Sequence, residues 1–74
     1  MLISSFEYSF TGNFIAITFA NGWSYRGHHR KSVVVELVHA LKLATGLASG
    51  GRIMFSDNEI IVMYGSRSIV VTVE

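Results

Sequence analysis

The chain contains no cysteine and no proline, and charged residues make up only 15% of its 74 positions. Without cysteine there is neither a disulfide framework nor a thiolate zinc site to staple so short a chain, which buries only about 60% of its unfolded surface on folding. The same absence leans towards a reducing, cytoplasmic setting. Low charge combined with 50% hydrophobic residues excludes a disordered chain. A formal net charge of +1 supplies neither the field of a strongly basic nucleic-acid binder nor that of an acidic DNA mimic. The opening "MLISSFEYSF" has no basic run before its apolar residues and is not expected to be a signal peptide. The stretch from Tyr8 to Tyr25 is uncharged, but Gly12-Asn13 and Asn21-Gly22 interrupt it with turn chemistry, so it reads as strands and no membrane span is expected.

What is present is strand patterning around one helix. Leu2, Phe6, Tyr8 and Phe10 alternate with polar residues, Thr11-Gly12-Asn13 turns the chain, and a second strand runs from Phe14 to Ala20. Asn21-Gly22 then signals a two-residue hairpin leading into a third strand from Trp23. "SVVVELVHALKLATG" has helical content, with Ser32 expected as N-cap, Glu36 in the first turn and Gly46 as the C-terminal stop. "LASGG" reads as a flexible connection. "RIMFS", "EIIVMY" and "RSIVVTVE" follow as three more strands, turned at Asp57-Asn58 and Gly65-Ser66. The expected fold is a single α+β domain over residues 1–74, two antiparallel β-meanders around one central helix in the order βββ-α-βββ.

The hairpin lengths predict the faces. A three-residue first turn sets Phe10 opposite Phe14, and a two-residue second turn sets Ala20 opposite Trp23. The helix-facing side of the first meander would then collect Phe6, Tyr8, Phe10, Phe14, Ala16, Thr18, Trp23 and Tyr25. In the second meander Ile53, Phe55, Ile60, Val62, Ile69, Val71 and Val73 share one face. On the helix, Val33, Val34, Leu37, Leu41 and Ala44 cluster on one side. Three apolar rows are left over: Ile15, Ile17 and Phe19 on the first meander; Val35, His39 and Leu43 along the helix; and Met54, Ile61, Met63 and Val70 on the second meander. Such rows on so small a chain mark candidate homodimer interfaces.

The chemistry concentrates in "WSYRGHHRK", which holds Arg26, Arg30 and Lys31 together with His28 and His29. Adjacent histidines point to opposite sides of an extended backbone, and His39 and Glu36 lie in the next element, so no metal site is expected. No nucleophile elbow, paired-carboxylate motif or phosphate-cradling glycine loop is present, so neither catalysis nor a cofactor is expected. Arg26, His28, His29, Arg30 and Lys31 are instead the expected contacts to a macromolecular partner.

"SSFEYSF", followed by "IAITFANGWSY" and a helix, resembles the opening of KTSC-type small domains, which pair a Ser-Ser start with a Phe-x-Asn-Gly-x-x-Tyr hairpin. The resemblance covers about a third of the chain and does not include the Lys-Thr-Ser-Cys-like element that gives that family its name.

The functional expectation is a small non-catalytic interaction protein, homodimeric, of the kind that phage and other mobile elements use as inhibitors, anti-CRISPR proteins among them. It would block a host protein or nucleoprotein complex by occupying its surface. The alternative is a small nucleic-acid-binding or regulatory protein that uses the basic segment from Arg26 to Lys31.

Overall fold

Each half of the chain folds as an antiparallel meander because segments rich in β-branched and aromatic residues are separated by turn formers. The computed structural model describes residues 1–46 and 50–73. It contains β1 (Ile3–Ser9), β2 (Phe14–Phe19), β3 (Ser24–His28), α1 (Lys31–Thr45), β4 (Gly51–Phe55), β5 (Glu59–Tyr64) and β6 (Arg67–Thr72). The sheets are β1-β2-β3 and β4-β5-β6, so the architecture is the expected α+β arrangement. Part of the connection read at "LASGG" (residues 47–49) lies outside the described residues.

The second meander has the anticipated faces. Ile53 pairs with Val62 and Val62 with Ile69, while Ile60 pairs with Val71, all turned towards the helix. The first meander does not. Its first turn takes up residues 10–13, one more than expected, so that Ser9 rather than Phe10 faces Phe14. Gly12 N–H donates to Ser9 Oγ at 3.0 Å within this turn, and Asn13 adopts φ 51°. Because side chains alternate with period two, a one-residue slip turns the whole middle strand over. Ile15, Ile17 and Phe19 therefore point into the core, where Ile15 and Ile17 are fully buried, and they are not available as a dimer interface. Phe14, Ala16 and Thr18 face outwards instead.

The Asn-Gly turn departs from expectation in the same direction. Phe19 N–H donates to Trp23 O at 2.8 Å across a three-residue loop, and only Gly22 has positive φ (91°), as in a type I turn closed by a glycine bulge. Asn21 Oδ1 accepts from Trp23 N–H at 3.0 Å. The extra loop residue leaves Trp23 outside the paired strand and 70% exposed, so it is not the core aromatic that a two-residue turn would make it. Tyr25 does face inwards, opposite Ile17.

Helix α1 presents Val33, Val34, Leu37, Val38, Ala40, Leu41 and Ala44 to both sheets. It starts at Lys31 after Arg30, with no side-chain cap, so Ser32 lies inside the first turn and Glu36 beyond it; Gly46 remains right-handed (φ −76°). The helix meets the second sheet closely where Gly51 passes Ala44, a position at which any β-carbon would collide with the Ala44 methyl. The two sheets are tied by the chain start. Met1 amine donates to Ile53 O and Ile53 N–H donates to Met1 O, both at 2.9 Å, and Ala20 N–H donates to Leu2 O at 3.0 Å. A register shift at Ser4 then lets Ile3 and Phe6 both face the core as the chain leaves its bridge to Arg52 and enters β1.

These assignments predict opposite outcomes for two truncations. Ile17→Ala should cost about 2–5 kcal/mol in denaturant unfolding, a large share of what a domain this size has. Trp23→Ala should cost no more than about 0.5 kcal/mol; a large loss there would restore the two-residue register.

Candidate functional site

Strand alternation divides "WSYRGHHRK" between different surfaces. Arg26 and His28 lie on the outward face of the first sheet, while Tyr25, Gly27 and His29 lie on the other side. Arg30 and Lys31 form the exposed entry to the helix. The five expected partner contacts are thus not one patch.

On the outward face of the first sheet, register builds three cross-strand rows: Ser5, Thr18 and Ser24; Glu7, Ala16 and Arg26; Ser9, Phe14 and His28. The small side chains of Ala16 and Thr18 leave a shallow open trough of about 290 Å³, bounded by Ser5, Glu7, Ser24 and Arg26. The Arg26 guanidinium lies 5.4 Å from the centre of the Phe14 ring, and the His28 ring packs on Phe14 at the same 5.4 Å. Arginine, aromatic ring and imidazole are therefore held together on a surface open to solvent, which the sequence reading missed because it placed Phe14 inside.

His29 has a structural environment. Its Nε2 and the Tyr25 hydroxyl share a hydrogen bond of 2.7 Å, and the two rings stack with planes 14° apart. Gly27 makes this possible, since a β-carbon at that position would stand 2.6 Å from the Tyr25 hydroxyl oxygen and 2.9 Å from His29 Nε2. Tyr25 packs in turn on Phe55 at 4.7 Å, which links the edge of the first sheet to the second. Burial lowers the His29 pKa below the ordinary 6.5, with the neighbouring His28 charge adding to the effect. Burial also raises the Tyr25 phenol. His29 is therefore neutral at pH 7 and belongs to the fold more than to a partner surface.

The second sheet presents the other outward face. Met54, Ile61 and Val70 form one row across its three strands, and Met63 lies in the next row beside Arg52. Met54 is 53% and Val70 50% exposed, with Ile61 and Met63 half-buried between them. Leu2, paired with Arg52 and exposed, extends this surface and was not among the expected residues. Along the helix Val35, His39 and Leu43 are also exposed, but as a strip one residue wide.

No group of three or more His, Asp or Glu side chains that could hold a metal ion occurs among the described residues, and no helix is long and apolar enough to cross a membrane. No protein-family model matches the chain, and no curated protein or solved structure gives a significant match.

The depressed His29 pKa has a signed consequence. Between the folded value and 6.5 the unfolded chain binds the proton and the folded chain does not, so stability holds above about pH 6.5 and falls as the pH drops through the folded value. Carbon-detected titration should place the His29 midpoint below 6.5, and His29→Gln should flatten the stability profile just below pH 6.5. A His29 midpoint at or above 6.5 would refute this account.

Proposed function

We propose that the protein is a small interaction module without catalytic chemistry, which acts as a homodimer by occupying a surface on another macromolecule. The observation that carries this reading is the outward-facing apolar row of Met54, Ile61 and Val70, exposed at both ends, on a domain whose core is already closed. Residues buried in a packed core need no further partner, whereas an apolar row spanning a whole sheet is an association surface. The outer face of the second sheet joins the copies, and the outer face of the first sheet, with Glu7, Arg26 and His28, meets the partner. Such a protein works in the cytoplasm in the manner of the inhibitors that phage and other mobile elements carry, by covering a site on a host protein or nucleoprotein complex.

A second reading, direct binding of single-stranded nucleic acid, is favoured by one observation: Arg26, Phe14 and His28 are grouped on an open sheet face, where a base can stack and a phosphate can be contacted. The near-neutral charge of the chain weighs against it.

Light scattering at concentrations well above the micromolar range should give about twice the 8.2 kDa chain mass, and a lysine at Ile61, but not at Leu43, should return the chain mass. A monomer at every concentration would remove the homodimer reading. An Arg26→Ala/Lys31→Ala variant should keep its melting temperature. Under the second reading, the wild type must bind single-stranded DNA or RNA with a salt dependence whose log-log slope this variant lowers by one to two; no salt-dependent binding by the wild type rejects that reading.

A further inference from the structure

We infer that a second copy of this chain docks face to face on the second sheet with its strands antiparallel to those of the first, the two-fold axis running along the row of Met54, Ile61 and Val70. The inference rests on the self-association proposed above and specifies its geometry. Register fixes the positions on this face. One row holds Arg52, Met63 and Ser68, the next Met54, Ile61 and Val70. The third holds Ser56, Glu59 and Thr72, since Ser56 N–H continues the ladder by donating to Glu59 O at 2.9 Å. Arg52 and Glu59 therefore flank the apolar row from opposite sides, on neighbouring strands. Neither forms an ion pair with another described residue.

A two-fold interface brings one patch against itself, so the patch must be complementary to its own rotated image. Two orientations bring the apolar rows together. If the axis ran along β5, Glu59 would lie directly over Glu59 of the second copy, and Arg52 would meet only Ser68. Two carboxylates would then be desolvated against each other with no cation between them, which opposes association. With the axis along the row, Ile61 still meets Ile61, Met63 covers the stem of Glu59 of the second copy, and Arg52 stands one strand spacing (about 4.8 Å) to the side of that Glu59. Sheets packed face to face are about 10 Å apart, a gap that an arginine and a glutamate reaching from opposite sides can close. Symmetry makes the contact twice. The charges on this face thus select the antiparallel orientation and reject the parallel one.

Three strands by roughly five residues give a face of about 14 Å by 17 Å. This is small beside the roughly 800 Å² per partner of a standard interface, so the dimer is expected to dissociate in the micromolar range.

The test is a charge exchange on the full chain, read by sedimentation equilibrium across that range. Arg52→Glu alone and Glu59→Arg alone should each weaken the dimer about tenfold or more, and the Arg52→Glu/Glu59→Arg double variant should recover most of the loss. Ile61→Lys should abolish the dimer; Met54→Lys, at a more exposed position, serves the same purpose if Ile61→Lys fails to fold. If the apolar variants dissociate the dimer while neither single charge reversal weakens it, or the double variant recovers nothing, the antiparallel geometry is wrong and the association reading stands. If the wild type is monomeric throughout, or remains dimeric in both lysine variants, the second sheet is not the interface and this inference fails outright.

Discussion

The burial of Ile15, Ile17 and Phe19 against the helix determines almost everything else in this molecule. Two of these side chains are completely removed from solvent, and they belong to one continuous core with Leu37, Leu41, Ile60 and Val62. A fully buried isoleucine contributes roughly 1.5–3 kcal/mol by transfer from water, several times what a turn preference contributes. The middle strand of the first sheet is committed to one orientation by that difference, and its neighbours follow through the ladder. Glu7, Ala16 and Arg26 become a cross-strand row because Ile17 does not tolerate the outside.

That commitment also gives the two outward faces their different character. In the first sheet the bulky residues of β2 are spent inwards, and what remains outside is Phe14, Ala16 and Thr18 between strands of serine and charge. In the second sheet both sides of β5 are apolar: Ile60 and Val62 face in, Ile61 and Met63 face out. A central strand that is apolar on both faces is the pattern of a sheet covered on both sides. The helix covers one, and the other is where a second copy would sit. The polar face of the first sheet carries no such demand and is free for a partner of different chemistry.

The order of elements, the helix and the whole second meander were legible in the sequence, because in each of them period, turn chemistry and apolar content agree. Gly65-Ser66 closes β5 onto β6 with the Tyr64 to Arg67 pairing that a two-residue turn requires. The faces of the first meander were misread because two signals conflicted there. Hairpin length argued for Phe14, Ala16 and Thr18 inside, and side-chain bulk argued for Ile15, Ile17 and Phe19. Bulk was the stronger term, and it was visible: three large apolar residues at odd positions against one large, one small and one polar residue at even positions. The lengths of the turns were not visible, because Asn-Gly serves a three-residue bulged loop as readily as a two-residue one when glycine takes the left-handed position. The helix entry was misjudged for a related reason: Arg30 occupies the capping position without a side-chain cap hydrogen bond, and arginine is not one of the residue types that signal an N-cap.

The basic segment shows how register converts a one-dimensional cluster into separate roles. Five cationic or titratable residues fall between Arg26 and Lys31, yet alternation sends Arg26 and His28 outwards and turns His29 back towards Tyr25. The Tyr25 to His29 contact spans Gly27, and a side chain there would part the two rings. One half of the segment thus closes the edge of the first sheet against Phe55, while the other half decorates the exposed face beside Phe14. Because Tyr25 and Arg26 are successive residues of one strand, the packing that holds Tyr25 on Phe55 also fixes the direction in which Arg26 leaves the sheet. The outward face of the first sheet thus rests on the core beneath it, and the same nine residues supply both core packing at Tyr25 and an exposed cluster of Arg26 and His28 beside Phe14.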